Sequence, residues 1–322
     1  MNLKRITSAG LALVMAASLA PAALAEDEPL LIAPTPTAGM PQVEVPAPNG
    51  GYGTLISING AALESFDFDR DVPGWGSQSV TWKISELDAV PAGYVPMRAI
   101  VQADHGSCYW SEEENQSWFS LGEAEITVLF DDLSVKVNDE VVEGISAVLR
   151  SGVTYLPVSI FEGLEGYAVV DNSTEEAESY EISTPNGTPI VKLAYELMEV
   201  AGIGMGMKSS PAELEEFYGE SAGFKAEFVT EGVAFLPMMT SPDTLVMGKF
   251  AEGKEKDLEE SFEAYRKQQE ATFEWYLSHN LPKVENAKFV IEGEWFLFLI
   301  GENAEEAVKV FQEGVKTLEE AQ

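Results

Sequence analysis

The sequence predicts an α+β protein of two modules: a β-rich module containing an internal repeat, then an α+β module built on an antiparallel sheet. Three observations carry this. Residues 51–185 alternate short apolar strands with turn dipeptides. From about residue 188, apolar residues recur at helical spacing, and the helices they mark are interleaved with paired strands. Hydrophobic residues make up 45% of the 322, enough for real cores despite an acidic surface.

The first 25 residues read as an export signal. Lys4 and Arg5 precede an apolar stretch from Ile6 to Leu19, then Pro21 and the small-residue site Ala23-Leu24-Ala25, with cleavage expected before Glu26. The apolar stretch is shorter than the ~20 residues a spanning helix needs and is interrupted by Ser8, Gly10 and Ser18. No Cys follows the site, which argues against a lipid anchor, and no second long apolar run occurs. The mature chain is therefore expected to be secreted or displayed at the cell surface, with no membrane span. Residues 26–50 carry Pro29, Pro34, Pro36, Pro41, Pro46 and Pro48, the composition of an extended, semi-rigid linker.

In the β-rich module, residues 51–185, Leu55-Ile56-Ser57-Ile58 runs into the hairpin dipeptide Asn59-Gly60. Residues 125–130 and 134–137 read as further strands, the second closed by Asn138-Asp139. Two segments look alike at a spacing of 61 residues: Tyr94-Val95-Pro96-Met97-Arg98-Ala99-Ile100 and Tyr155-Leu156-Pro157-Val158-Ser159-Ile160-Phe161. In each, an apolar strand end meets a proline suited to the first turn of a short helix, and a glycine follows, Gly106 or Gly163. These stretches, with Gly152 to Val158 and the strands ending in Asn-Gly or Asn-Asp, resemble the copper amine oxidase N-terminal domain family over roughly 52–184. That family is widespread in secreted and surface proteins of Gram-positive bacteria. The resemblance implies a non-catalytic stalk domain, not copper or amine oxidation. Ser159 stands where the pattern prefers Arg, and the insertion at 66–82 is longer than usual.

Pro185-Asn186-Gly187 punctuates the junction to the second module, residues 186–322. A helix is expected over 190–200. Ser210-Pro211-Ala212-Glu213 starts another, with Ser as cap, Pro at the first helical position and Glu reaching back. Strands at 232–236 and 244–250 precede a long helix over about 255–279, with Tyr276 and Leu277 on its inner side. A hairpin of 287–291 and 295–300 and a last helix follow, giving the order α-α-β-β-α-β-β-α. Glu213 to Gly219, Arg266 to Gln269 with Phe273 and Tyr276, Asn286-Ala287 and Gly293-Glu294-Trp295 resemble an uncharacterised domain of Gram-positive envelope lipoproteins over about 188–320. That resemblance implies a fold and no activity.

Charge excludes whole classes of partner. Asp and Glu number 54 against 19 Lys and Arg, a net charge of −35. Removal of the signal with Lys4 and Arg5 leaves 297 residues at −37. Such a chain lacks the cations to replace phosphate counterions, so a nucleic-acid partner is not expected. Anionic lipid and phosphate-rich wall polymers are disfavoured for the same reason.

The residues for several chemistries are missing. His105 and His279 are the only histidines, one per module, so a multi-histidine copper or zinc centre is not expected. His105 and Cys108, three apart, fit one helical turn with Asp104 nearby, but read better as a loop after a helix, with Cys108 half buried. No Gly-x-Ser-x-Gly occurs. Gly202-Ile203-Gly204-Met205-Gly206 follows a helix, not a strand, and lacks the Gly-Lys-Ser/Thr ending of a phosphate loop, so it reads as a helix terminus and connector. Asp67, Asp69 and Asp71 alternate as in a calcium loop, but Val72 replaces the turn glycine and Gln78 the bidentate Glu; the plainer reading is a solvated acidic insertion. Glu112 to Glu114 and Asp171 to Glu178 read as solvated loop charge. Trp75, Trp82, Tyr109, Trp110 and Trp118 read as core, or, if exposed, as a surface for sugars or a peptide.

No catalytic, cofactor-binding or metal-ligating residue is assigned. The expectation is an exported, non-enzymatic surface or extracellular binding or scaffold protein whose partner is a protein or glycan of the cell envelope. The alternatives are an Asp/Glu-dependent cell-wall or polysaccharide hydrolase and a calcium-dependent binding module through Asp67, Asp69 and Asp71.

Overall fold

A computed structural model of the chain describes residues 50–72, 76–204, 206–237 and 240–320, and of 69–72, 76–78 and 320 the backbone alone. Residues 1–49, where the export signal and nearly all of the proline-rich linker are expected, lie outside the described residues.

The first module opens with β1 (Leu55–Ile58) and β2 (Ala61–Ala62). Asn59 and Gly60 between them both have positive φ, as a two-residue hairpin of matching twist needs. Next come β3 (Ser65–Val72) and β4 (Gly76–Lys83), a 3-10 turn at Ile84–Glu86, then β5 (Tyr94–Pro96) leading directly into α1 (Met97–Ala103). A five-strand meander follows: β6 (Ser107–Ser111), β7 (Gln116–Leu121), β8 (Ala124–Leu129), β9 (Ser134–Val137) and β10 (Glu140–Ser146). The module closes with β11 (Val148–Arg150), β12 (Val153–Pro157), a 3-10 helix at Val158–Gly163, β13 (Ala168–Asp171) and β14 (Ser179–Ser183). β14 returns beside β1 in parallel, with Leu55 opposite Ser179.

The repeat is real in three dimensions. β5 and β12 are antiparallel neighbours, with Leu156 opposite Val95, and each runs straight into a helix. Two details differ from the sequence reading. The second helix is 3-10, and each proline ends the strand as the N-cap, with extended backbone, instead of opening the first turn. Arg98, where the second copy has Ser159, makes contacts particular to the first copy. Its guanidinium lies 5.1 Å from the centre of the Phe68 ring, which stacks on Trp82 at 5.2 Å. Gln102 completes the attachment by accepting from the Asp67 N–H at 2.8 Å and donating to the Asp67 carbonyl at 2.6 Å. Arg98 and Gln102 thus pin the β3–β4 hairpin to α1. The Asp67 to Asp71 stretch, expected as a solvated acidic insertion, is one strand of a hairpin in which 65–72 pair with 76–83, with Phe66 and Trp82 buried on one face.

The second module contains α2 (Pro189–Ala201), β15 (Met207–Ser209), α3 (Pro211–Ala222), β16 (Val229–Leu236), β17 (Thr244–Phe250), α4 (Glu255–Trp275), α5 (Leu281–Glu285), β18 (Lys288–Glu292), β19 (Trp295–Ile300) and α6 (Ala304–Glu320). The sheet is antiparallel throughout, in the order β15-β16-β17-β19-β18. β15 and α5 are additions to the expected order, both too short to leave a periodic signal. Strand alternation splits the sheet into two cores. Phe235, Leu245, Leu297 and Leu299 pack with Leu197 of α2 and Phe311 of α6. Leu236, Val246, Phe296 and Phe298 pack with Leu214 of α3 and with Leu258 and Phe262 of α4. All six residues of β19 are buried, which is why Trp-Phe-Leu-Phe-Leu-Ile reads as an unbroken apolar run. Each large side chain of this kind contributes roughly 1.5–3 kcal/mol on burial.

Ser210 and Glu213 form the expected capping box, with Ser210 N donating to Glu213 Oε2 at 2.7 Å. The long helix stops at Trp275, short of 279. Leu277 adopts a left-handed backbone (φ 56°), Tyr276 is exposed instead of inward, and His279 sits in the 3-10 turn Ser278–Asn280. The described residues of both modules belong to one compact unit.

Candidate functional site

The strongest site arises where the two modules meet, and it starts at the C-terminus of α1. Asp104 caps that helix, His105 takes a left-handed backbone (φ 57°), and Gly106 carries the chain into β6. A Cβ at Gly106 would lie 2.2 Å from the Ser120 carbonyl oxygen, so only glycine lets the strand pass here. The result turns the Asp104 side chain inward, where it is only 2% exposed, and leaves His105 on the surface.

Asp104 is the centre of a buried polar cluster. Its Oδ2 accepts from Tyr167 Oη at 3.0 Å, its Oδ1 accepts from Thr184 Oγ1, and its carbonyl accepts from Asn186 Nδ2 at 2.8 Å. Thr184 Oγ1 also accepts from Asn59 Nδ2 at 2.9 Å and from the Asn186 N–H at 3.2 Å. Lys208 of β15 donates to Asn186 Oδ1, and Lys192 of α2 donates to the Asn59 carbonyl at 2.7 Å. The β1–β2 turn, α1, the inter-module turn Pro185–Gly187, α2 and β15 are thereby tied to one carboxylate.

Beside this cluster runs an open groove of about 1010 Å³, walled by His105, Ser107 and Ser120 from the first module and Tyr195, Glu199 and Lys208 from the second. The His105 ring stacks on Tyr195 at 3.6 Å with the planes 9° apart, and Tyr195 in turn packs on Phe235 at 4.9 Å.

The electrostatics follow from partial burial. Burial raises the Asp104 pKa, and the hydrogen bonds from Thr184, Tyr167 and Asn186 oppose that rise. One face of His105 is covered, which lowers its pKa; Asp104 opposes the change and Lys208 adds to it. Burial also lowers Lys208 against the pull of Asp104, and it pushes Tyr195 up to about 12. An imidazole, a phenol and a lysine amine thus face the groove, while both oxygens of its buried acid are occupied.

The residues singled out from sequence fare differently. Asp67, Asp69 and Asp71 lie along one side of an extended strand instead of wrapping a loop, and Asp67 Oδ1 accepts from Thr81 Oγ1 at 2.6 Å. The side chains of Asp69 and Asp71 are outside the described residues. His105 and Cys108 share no helical turn, because Cys108 belongs to β6, opposite Phe119, where it is partly buried. His279 is exposed in the other module. Gly202 ends α2 with left-handed backbone (φ 73°), and Gly202, Gly204 and Gly206 line the groove as the connector into β15, with residue 205 outside the described residues. Glu112 to Glu114 form the β6–β7 turn, and 172–178 the β13–β14 loop. Trp82 is buried as expected, but Tyr109 is 65% and Trp110 51% exposed, which corrects the reading of these aromatics as core; Trp75 lies outside the described residues. Among the described residues, no group of three or more His, Cys, Asp and Glu converges as a metal site.

Sequence reasoning missed Tyr167, Thr184, Asn186, Tyr195 and Lys208. One signal was available: Thr184 before Pro185 is a capping residue for the turn, and its side chain does accept from the Asn186 N–H.

Residues 203–301 match a family model described as a domain of unknown function (DUF4358). The match runs from the glycine-rich connector to the end of β19, so it holds the sheet with α3, α4 and α5 and leaves α2 and α6 outside. It does not extend to the first module. No curated protein matches the chain, and no solved structure does.

Proposed function

We propose that the protein is an exported, non-enzymatic binding or scaffold component of the cell surface or extracellular space, and that the groove between its modules holds its partner. One observation carries this reading: the buried acid of the groove, Asp104, accepts hydrogen bonds at both carboxylate oxygens from Thr184 and Tyr167. A carboxylate engaged in this way ties α1 to Tyr167, Thr184 and Asn186 and so holds the modules together. His105, Tyr195 and Lys208 are the contact groups of the groove. The expectations from sequence, a resemblance of 52–184 to a non-catalytic stalk domain and an export signal over 1–25, agree with this reading. A net charge of −35 favours a neutral or basic partner, a protein or glycan of the envelope.

The test sets binding against hydrolysis. Purified protein beginning at Glu26 is incubated with isolated cell-wall polysaccharide, and soluble reducing ends are measured beside sedimentation. The expected outcome is co-sedimentation weakened by Lys208→Ala and Tyr195→Ala, with no release of reducing ends. Release that disappears in Asp104→Asn or Glu199→Gln would establish a hydrolase instead.

A further inference from the structure

We infer that the open face of the five-strand meander is a binding platform for neutral carbohydrate, with sugar rings stacking on Tyr109 and Trp118. The inference rests on the binding reading above but on a different surface from the groove.

Strand register defines this face. Ser107, Ser120 and Glu125 are cross-strand neighbours in one row; Tyr109, Trp118, Thr127 and Lys136 form the next; Ser111, Gln116 and Leu129 the third. The opposite face of the same strands carries Phe119, Leu121, Ile126, Val128 and Val135, all buried, with α1 in contact with β6 and β7. The Tyr109 row is on the side that α1 does not cover.

Its composition is unusual for this chain. The Tyr109 and Trp118 rings stack at 5.4 Å, 29° apart, and Tyr109 is mostly in solvent. Thr127, next in the row, is only 4% exposed, so the aromatic row stands on a filled base. Hydroxyls of Ser107, Ser111 and Ser120 flank the rings. A depression of about 420 Å³ is lined by Tyr109, Trp118, Ser107, Ser120 and Glu125. On β6 to β9 this face holds one acid, Glu125, and one base, Lys136, so it is neutral on a chain of net charge −35. The other acidic residues of this region lie at its turns, Glu112 to Glu114 between β6 and β7, Glu123 between β7 and β8, Asp131 and Asp132 between β8 and β9 and Asp139 between β9 and β10, or on the edge strand β10, Glu140 and Glu143.

Paired aromatic faces without net charge, ringed by hydroxyls, suit a ligand that has apolar ring faces and a hydroxyl rim. That is a neutral sugar. A cationic peptide would instead be matched by carboxylates around the rings, and this face offers one, balanced by Lys136. Ser107 and Ser120 also line the groove, so the platform and the groove meet.

Affinity electrophoresis tests this, with soluble xylan, galactomannan, hydroxyethylcellulose and dextran as neutral probes and polylysine and polygalacturonate as charged ones. At least one neutral polymer should retard the protein, and added salt should not change the retardation, because no charge pair is screened. Tyr109→Ala and Trp118→Ala should each weaken binding about tenfold or more, as loss of a central aromatic contact does. Trp118→Phe, which preserves stacking and guards against a folding defect, should keep most of it, and Lys256→Ala, at an exposed ion pair on α4, should leave it unchanged. Failure of every neutral polymer to retard the protein, equal retardation of the alanine variants, or retardation by polylysine alone would overturn the inference. Wall binding lost in Lys208→Ala but intact in Trp118→Ala would keep the groove and remove the platform.

Discussion

Replacing Thr184 with valine keeps the shape of a buried side chain and removes one hydroxyl. That hydroxyl donates to Asp104 Oδ1 and accepts from Asn59 Nδ2 and from the Asn186 N–H. Asn59 is partly exposed and can recruit water, so its loss is close to neutral. Asp104 loses one of two side-chain donors to a buried charge, at roughly 1.5–3 kcal/mol. The buried Asn186 N–H loses its acceptor at 3.2 Å, adding about 1 kcal/mol. Thr184→Val should therefore destabilise the fold by about 2.5–4 kcal/mol. Thr184→Ser keeps the hydroxyl and removes one methyl, costing about 1 kcal/mol or less. Urea denaturation reads the difference as a fall in midpoint at constant slope. If the valine and serine variants unfold within about 1 kcal/mol of each other, the Asp104 cluster is not what joins the modules.

Three further outcomes follow from the same structure. Because burial raises the folded-state pKa of Asp104 above the ordinary 3.8, protonation favours the fold; its stabilising share is complete below that value and is lost as pH rises through the folded-state pKa. The stability of Asp104→Asn relative to the natural protein should thus improve with rising pH in that window, by at most about 1.4 kcal/mol per unit, measured by paired denaturation curves; a gap that is flat or narrows the other way contradicts the assigned burial. Ser210→Ala removes the capping box of α3 and should cost about 1 kcal/mol by thermal or urea unfolding. At Gly248 an added Cβ would meet the Glu231 carbonyl oxygen at 2.2 Å across the β16–β17 pair, so Gly248→Ala should cost about 3 kcal/mol, whereas Gly53→Ala, with nothing within 4 Å, should be close to neutral.

What could be read from the sequence was local. Asn59-Gly60 and the Ser210 to Glu213 box act within a few residues, and β19 announces its double burial by six consecutive apolar side chains. The long helix was read too far because Tyr276 and Leu277 continue its apolar rhythm; the left-handed backbone at Leu277, which ends it, leaves no mark in the pattern. The groove was hidden for the opposite reason. Asp104 and Thr184 are 80 positions apart and Asn59 and Thr184 are 125 apart, so no spacing rule connects them. The exposed aromatics were misread as core because composition records how many rings a module has, while the register of β6 and β7 decides which way they point.

The most direct test of the account is hydrogen–deuterium exchange on the protein beginning at Glu26, with and without cell-wall polysaccharide. Protection is expected in peptides spanning 104–125 and 186–208, the two walls of the groove and the adjoining platform. An unchanged exchange pattern, or protection confined to α4 and α5 on the far side of the second sheet, would contradict it.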